Sequence, residues 1–174
     1  MAAMSTVPSL TDGVVLLDGH TDADVASHVN GEDDETARRF GWWPNRSTAD
    51  SVRRTYREWD RAWASGGSPR AFAVREAHTG ALVGGCELRI QQDGSGHVSY
   101  WTNSTFRRRG YSTRALQLLY GYAESIGVSC LESHVAMGNV ASRAVSERAG
   151  FTVHETFTED DDTEMIRYVR AVPG

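Results

Sequence analysis

The spacing of apolar residues along the chain predicts where helices give way to strands. Between residues 48 and 64, apolar side chains recur at intervals of three and four, which predicts an amphipathic helix. Its apolar face consists of Val52, Tyr56, Trp59 and Trp63. The run Gly66-Gly67-Ser68-Pro69 ends this helix. After it the apolar period falls to two, which predicts an antiparallel meander with strands at residues 71–74, 81–90 and 97–102.

The same patterns predict elements on both sides of this meander. Before it we predict a strand at 14–17, a helix at 21–30 and an acidic loop or helix start at 32–35. After it we predict helices at 113–126 and 140–149, and strands at 129–136, 151–157 and 164–170. The order β-α-α-β-β-β-α-β-α-β-β is typical of one domain with a mixed α/β sheet. We expect residues 1–10 to be a flexible tail and residues 11–172 to form the domain.

The composition narrows the chemistry, because all 18 basic residues are arginine and the chain has no lysine. A Schiff-base lysine is therefore excluded. A P-loop lysine that reaches a nucleotide phosphate is excluded as well. Any phosphate that the protein binds must be held by arginine side chains, by backbone N–H groups, or by both.

Charge and cysteine content bear on partners and location. Residues 1–60, 61–130 and 131–174 carry net charges of −5, +4 and −4, whereas a duplex nucleic-acid binder usually presents a continuous basic face, so we expect no nucleic-acid partner. No apolar run approaches the roughly 18 residues that a membrane span needs. Cys86 and Cys130 lack C-x-x-C spacing, which favours a reduced, cytoplasmic protein. The scattered histidines predict no metal site.

A basic turn between a predicted strand and a predicted helix is the first candidate site. It reads Arg107-Arg108-Arg109-Gly110-Tyr111-Ser112. Backbone N–H groups at a helix start are unpaired and lie at the positive end of the helix dipole, which suits an anion. Gly110 allows close approach of the backbone. A solvent-exposed basic turn is the alternative.

A second segment opens the helix predicted at residues 140–149. Asn139 can cap this helix, and Ser142 lies in its first turn, where a hydroxyl can point back toward the sheet. The helix continues through Glu147, and Gly150 ends it before Phe151.

Together the two segments resemble the GNAT superfamily of acyl-CoA N-acyltransferases, and most closely the RimJ/RimL-like branch typified by ribosomal-protein N-terminal acetyltransferases. The superfamily's R/Q-x-x-G-x-G/A signature falls on Arg107, Gly110 and Ser112. The branch's strand ending falls on Tyr100-Trp101, and its N-x-x-S…E-x-x-GF helix falls on Asn139, Ser142, Glu147, Gly150 and Phe151. Element order and spacing match from Val14 to Arg170.

The resemblance implies a fold and a co-substrate. The fold is a single-domain, mostly antiparallel sheet with splayed central strands, here 97–103 and 129–136, flanked by helices. Acetyl-CoA lies in the splay, its pyrophosphate on the amides of residues 108–113 and its pantetheine along the first splayed strand. The implied cofactor-binding residues are Trp101, Thr102, Arg107, Arg108, Arg109, Gly110, Tyr111, Ser112, Thr113, Asn139 and Ser142. In the family, the acetyl group passes directly to an amine without an acyl-enzyme.

The sequence departs from the family pattern near the chemistry. Ser146 stands where many relatives carry the tyrosine that protonates the leaving thiolate, so we assign that role to Ser142. Gly96-His97 stands near the position of a catalytic glutamate in other members. The general base therefore stays open among His97, Glu87, His134 and the acidic turn Glu159–Asp162.

Two further site assignments concern the acceptor and an alternative nucleophile. Trp42 and Trp43 lie in a loop beside a proline, and we predict that they form an acceptor wall or a cation–π contact. Cys130, Glu132 and His134 share one face of a strand, so a Cys130–His134 nucleophilic pair is a minor alternative.

The functional prediction is acetyl-CoA-dependent transfer of an acetyl group to a primary amine, either a peptide or protein N-terminus or a small cationic amine. The alternative is a non-catalytic acyl-CoA-binding or sensing module of the same fold. We expect a monomer or a homodimer, with acetyl-CoA and an amine acceptor as partners and no metal.

Overall fold

An eight-stranded sheet organises the chain, described over residues 6–174 in a computed structural model. In chain order its strands are β1 (Leu10–Thr11), β2 (Val15–Asp18), β3 (Arg70–Glu76), β4 (Leu82–Ile90), β5 (Gly96–Thr102), β6 (Cys130–Ala136), β7 (Thr152–Thr158) and β8 (Glu164–Ala171). The α-helices are α1 (Val25–Gly31), α2 (Asp34–Arg39), α3 (Ala49–Ser65), α4 (Tyr111–Ser125) and α5 (Val140–Arg148). The strands lie side by side in the order β1-β2-β3-β4-β5-β6-β8-β7.

Within this described sheet, β5 and β6 are the parallel pair, and they open the sheet. They pair only where Gly96 lies opposite Leu131 and His97 lies opposite Glu132. All other neighbouring strands are antiparallel. Because ladder pairing stops after His97, the two strands separate toward Thr102. The predicted mostly antiparallel sheet with splayed central strands is confirmed.

The main core lies between the sheet and α4, which packs against β2, β4 and β5. Its largest fully buried side chains include Phe72, Leu88, Leu116, Leu131 and Tyr168. Burial of one such side chain stabilises the fold by about 1.5–3 kcal/mol. This core fixes the two central strands at the end where they pair.

The helix α3 follows the predicted amphipathic pattern. The hydroxyls of Thr48 and Ser51 accept each other's backbone N–H groups in a capping box, and Gly66 ends the helix with a φ of 70°. Its buried side chains Val52 and Tyr56 form a second, smaller core with α1. The helix therefore holds α1 against the sheet beside β5.

A buried ion-pair network joins the first strands to the turn before α1. The Arg75 Nε atom donates to Asp18 Oδ1 at 2.6 Å, and its two terminal nitrogens donate to the Asp24 carboxylate at 2.6 and 2.7 Å. A further hydrogen bond reaches the Gly19 carbonyl at 3.0 Å. Arg75 and Asp24 are both less than a tenth exposed. This network anchors β2, β3 and the entry to α1.

Three details refine or correct the sequence prediction. Of the two structures predicted for the acidic segment, a loop or a helix start, the structure has the helix start, because the Asp33 carboxylate accepts the Thr36 N–H and caps α2. The helix predicted from Thr113 begins at Tyr111, since Gly110 serves as its N-cap with a φ of 78°. The two-residue strand β1 was not predicted, because two residues show no period.

The predicted tail, residues 1–10, is only partly described, and residues 1–5 lie outside the described range. Of the others, Val7 and Leu10 pack against the main core. The tail and domain boundaries stay predictions. Among the helices of residues 6–174, none has the length and apolar character for crossing a bilayer.

Candidate active site

The splay between β5 and β6 opens into a cleft of about 1430 Å³. Its walls come from both strands, from the α1–α3 segment and from the turn between β7 and β8. The candidate bases His97, His134 and Glu87 line this cleft, as do Glu159 and Asp161 of the acidic turn. Asn139 and Ser142 line it as well. The fold thus brings Asn139 and Ser142 of the second motif together with Tyr100 and Trp101 of β5 at one cavity.

The start of α4 leaves a set of backbone donors without protein partners. In the part of the chain that the structure describes, none of the N–H groups of residues 108–113 donates a hydrogen bond to the protein. Gly110 turns the chain with a φ of 78°, and Arg108 also has a positive φ, of 63°. The first-turn hydroxyl of Ser112 is hydrogen-bonded to Thr102 at the end of β5. Free amides at the positive end of a 15-residue helix fit a phosphate group.

The three arginines of this turn have different surroundings. Arg108 and Arg109 are exposed, and the Arg109 guanidinium lies 5.3 Å from the centre of the Phe106 ring. Both can therefore approach a bound phosphate from solvent.

Arg107 instead holds the start of α2. Its terminal nitrogens donate to both carboxylate oxygens of Asp33 at 2.7 and 3.0 Å, to Glu35 at 3.2 Å and to the Thr36 hydroxyl at 3.0 Å. The Arg107 hydrogen bonds hold the pKa of Asp33 well below its ordinary value. In this arrangement Arg107 joins the turn before α4 to the start of α2, rather than pointing at the α4 amides.

The edge of β5 that faces the splay offers its own backbone groups. Antiparallel ladders alternate, and the Asn103 N–H donates to Val83 of β4, so the backbone groups of Tyr100 and Thr102 point away from β4. The Tyr100 carbonyl accepts a hydrogen bond from Arg39 at 3.2 Å. The Tyr100 N–H therefore lies on the edge where a thioester carbonyl can be polarised.

Ser142 lies buried beneath this edge. Its hydroxyl oxygen accepts a hydrogen bond from the Tyr100 hydroxyl at 3.0 Å, and its backbone N–H donates to the Asn139 side chain at 3.1 Å. Asn139 is therefore the N-cap of α5. The hydroxyl of Ser146, one turn later, is fully buried without a partner. The Ser142 hydroxyl therefore accepts a hydrogen bond from Tyr100, whereas the Ser146 hydroxyl has no hydrogen-bond partner among the described residues.

The two histidine candidates meet across the splay. The rings of His97 and His134 lie 4.7 Å apart, edge to face. Burial, and then the neighbouring His134, lower the pKa of His97. His134 Nε2 lies 3.6 Å from a Glu132 oxygen. Glu87 accepts a hydrogen bond from Arg89 at 2.8 Å, so its carboxylate already has a cationic partner.

The remaining predicted residues divide between the cleft and its surroundings. Trp42 lines the cleft and stacks on Phe40, whereas Trp43 does not line it and lies 4.6 Å from the Arg38 guanidinium. Cys130 does not line the cleft, and its thiol contacts the Leu131 carbonyl. Among residues 6–174, no cluster of three or more His, Cys, Asp or Glu is arranged to hold a metal.

The sequence analysis did not identify several residues that line the cleft from α1, α2 and the segments before and between them. Arg39, Glu32, His28 and His20 all line the cleft. Their positions in short acidic and polar segments gave no periodic signal. Only the packing of α1 and α2 over β5 brings them to the splay.

Comparison with known proteins places this site in a family. A model of the acetyltransferase (GNAT) domain matches residues 15–152. The chain belongs to the GNAT acetyltransferase family. This acetyltransferase is 31% identical, over 125 residues, to YdaF of Bacillus subtilis (strain 168), named as a candidate ribosomal N-acetyltransferase. The alignment covers 67% of each chain.

Solved structures share the fold. RimL, a ribosomal L7/L12 alpha-N-protein acetyltransferase in complex with coenzyme A, superposes with a TM-score of 0.82 at 14% identity, covering 95% of this chain and 98% of that one. Spermidine N-acetyltransferase from Vibrio cholerae, in complex with CoA and spermine, gives a TM-score of 0.76 at 16% identity, with coverages of 92% and 97%. The protein is therefore an acyltransferase that uses acetyl-CoA for N-acetylation.

Proposed function

We propose that this enzyme transfers an acetyl group from acetyl-CoA directly to a primary amine, with a protein or peptide N-terminus as the first candidate acceptor and a small cationic amine as the second. The observation that carries the proposal is the splay after His97: a large cleft opens there, and the end of β5 contacts the start of α4, with its free amides, through the Thr102–Ser112 hydrogen bond. YdaF is named for ribosomal N-acetylation, which favours the first acceptor and a cytoplasmic location.

The co-substrate fits the residues present. Its pyrophosphate is assigned to the N–H groups of residues 108–113, with Arg108 and Arg109 beside it. Its pantetheine arm is assigned to the β5 edge at Trp101 and Thr102, where the backbone groups of Thr102 face the splay. The Asn139 side-chain amide lines the cleft and supplies a donor there.

The reaction needs three groups from the protein: one that polarises the thioester carbonyl, a base, and a proton donor for the leaving thiolate. The Tyr100 N–H polarises the thioester carbonyl while the amine nitrogen bonds to its carbon. A base takes the proton that the nitrogen loses. The carbon–sulfur bond then breaks, and Ser142 gives its hydroxyl proton to the sulfur. Tyr100, which donates to Ser142, replaces that proton and regains one from solvent, while the base releases to solvent the proton that it took from the amine.

His97 is the base that we favour among the candidates. A base must be unprotonated, and burial lowers the pKa of His97, so the ring is neutral near pH 7. Glu87 is engaged by Arg89, and His134 supports His97 by ring contact.

The direct test is thiol release from acetyl-CoA in the presence of an amine panel. The panel contains peptides that begin with serine or alanine, and spermidine. We expect turnover with at least one amine and a 1:1 titration of acetyl-CoA in calorimetry. Binding without any turnover would instead support the acyl-CoA sensing alternative, and the absence of binding at millimolar acetyl-CoA would reject the proposal.

Replacement of Ser142 with alanine is expected to lower kcat by about 10-fold or more, because the leaving thiolate loses its proton donor. The acetyl-CoA dissociation constant should stay unchanged. Ser146→Ala is the matched control, since that buried hydroxyl has no partner and its loss should leave kcat unaltered. Equal kcat values in the two variants would remove Ser142 from the mechanism.

Replacement of His97 with glutamine is expected to lower kcat by about 10²–10⁴-fold, the usual effect of losing a general base. In the wild-type enzyme the rate should fall as the pH drops through the lowered pKa of His97, because the ring becomes protonated. Measured kcat–pH profiles of the variant should lack that acid limb. The exposed His154 provides the control substitution, and a profile that His97→Gln leaves unchanged would assign the base elsewhere.

A further inference from the structure

The cleft contains a buried carboxylate that the mechanism above does not use. Glu32 follows α1 and is only 3% exposed, yet it lines the cleft. One of its oxygens accepts the Ser47 N–H at 2.9 Å. The other oxygen has no hydrogen-bond partner within the described part of the chain and is not sealed from the cleft.

No cation of the protein neutralises this carboxylate among residues 6–174. The arginines Arg38, Arg39, Arg46 and Arg89 line the same cleft, and in the described part of the chain none of them forms an ion pair with Glu32. Arg39 donates to the Tyr100 carbonyl, and Arg107 binds Asp33. A buried charge without a partner is unfavourable, so such a carboxylate is suited to receive a cation from outside the protein.

The uncharged rings beside Glu32 complete a site suited to binding a cation. His28 lies one helical turn before Glu32, and its ring centre lies 4.5 Å from that of Trp101 on β5, with the two ring planes tilted by 40°. Its Nδ1 atom is hydrogen-bonded to the Tyr56 hydroxyl at 2.8 Å. Burial lowers the pKa of His28 to about 4, so the ring carries no positive charge at neutral pH. Aromatic faces without charge attract ammonium groups.

This wall also lies at the point of transfer. Trp101 follows Tyr100, whose backbone groups face the splay, and the Asn103 side chain lies against Gly31, the residue before Glu32. The end of α1 is therefore packed directly on the β5 edge at which the thioester is assigned.

We propose that Glu32 binds the acceptor amine in its ammonium form, with the ring faces of His28 and Trp101 beside it, and so makes the enzyme select cationic amines. The bound ammonium first loses one proton to water and becomes nucleophilic, and the base takes the second proton when the nitrogen bonds to the thioester carbon. This inference rests on the proposed function and names the residue that recognises the acceptor. The ligand class is a primary ammonium group, whether it belongs to a peptide N-terminus or to a small amine. The adjacent acids Asp33 and Glu35 are excluded from this role because Arg107 already pairs with them.

The test uses Glu32→Gln with the amine that the panel identifies. Glutamine keeps a side-chain carbonyl for the Ser47 N–H but removes the charge. We expect KM for the amine to rise at least about 10-fold, as for loss of a charge-assisted hydrogen bond, with kcat changed less than about 3-fold and acetyl-CoA affinity unchanged. Glu58→Gln, an exposed carboxylate that lines the same cleft, is the control and should leave KM unaltered.

A binding measurement separates recognition from a structural role. In the presence of coenzyme A, the wild-type enzyme should bind the amine at least about 10-fold more tightly than its deamino analogue, and Glu32→Gln should reduce this preference to near unity. Glu32→Asp, which keeps the charge, should retain part of the preference. An unchanged ratio in Glu32→Gln would overturn the inference. Absence of wild-type turnover with every amine would count against the proposed function instead.

Discussion

Replacement of Arg75 with methionine is expected to lower the free energy of unfolding by about 3–5 kcal/mol, because Asp24 would be left as a buried charge without its partner. Arg75 is 9% exposed and Asp24 is 6% exposed, and the bidentate pair between them has distances of 2.6 and 2.7 Å. Methionine restores much of the volume but none of the charge. Urea unfolding measures the difference.

The matched control is Arg53→Met. Arg53 pairs with Asp22 at 3.1 Å, but its side chain is 42% exposed and that of Asp22 is 81% exposed. Water screens such a pair, so we expect a change within about 1 kcal/mol. A loss of similar size in both variants would mean that the buried network contributes no more than a surface pair.

The same network predicts how stability depends on pH. Burial alone would raise the pKa of Asp24, but hydrogen bonds from Arg75 and from the Thr21 N–H outweigh it, so the pKa in the folded state lies below the ordinary value of 3.8. The unfolded chain therefore binds the proton first as pH falls. The contribution of Asp24 is complete above that ordinary value and is lost as the pH falls through the lower, folded value. Arg75→Met removes the stronger of these hydrogen bonds and leaves burial to raise the pKa of Asp24, so the loss of stability in acid should shrink or reverse in sign.

The features that the sequence could predict are those set by neighbours in the chain. The helix α3 follows from the spacing of Val52, Tyr56 and Trp63 and from its flanking Thr48 and Gly66. The glycine-capped start of α4, where we predict the anion site, is local as well, since a strand end, a glycine and a helix start are all visible in one short segment. Local periodicity and capping decide both.

The acceptor side could not be predicted, because it depends on contacts between distant segments. The Tyr100 hydroxyl meets Ser142 across 42 residues, and Arg107 meets Asp33 across 74. The arginines of one turn cannot be distinguished in the sequence. In the structure, Arg107 binds Asp33 at the start of α2, whereas Arg109 stays exposed. Only the folded position of α2 distinguishes them.

The second large effect is expected from the pair that joins Arg107 to Asp33. The pair is bidentate, and Thr36 and Glu35 extend it, so it ties the turn before α4 to the start of α2. The α2 segment in turn supplies Arg39 to the cleft. If this ion pair positions both substrates, breaking it should weaken the binding of acetyl-CoA and of the acceptor amine together.

Asp33→Asn distinguishes this tie from direct phosphate binding by Arg107. Asparagine can still cap α2 through its side-chain oxygen, which accepts the Thr36 N–H, but it no longer carries the charge that holds Arg107. If Arg107 is a phosphate ligand restrained by Asp33, its release should tighten acetyl-CoA binding. If the pair is a positioning device, the same substitution should weaken acetyl-CoA binding and raise KM for the amine.

We expect the second result, with changes of about 5–30-fold in each constant, since the pair is about one-third exposed and its worth is intermediate between surface and buried pairs. Reversal of Arg107 to aspartate should have a larger effect, because two acids of α2 would then repel it. The exchanged pair, Asp33→Arg with Arg107→Asp, restores the attraction and should recover a substantial part of both losses, apart from the changed helix cap. Calorimetry measures the dissociation constant of acetyl-CoA, and steady-state kinetics measure KM for the amine. Tighter acetyl-CoA binding in Asp33→Asn, or no recovery in the exchanged pair, would assign Arg107 to the phosphate instead of to α2.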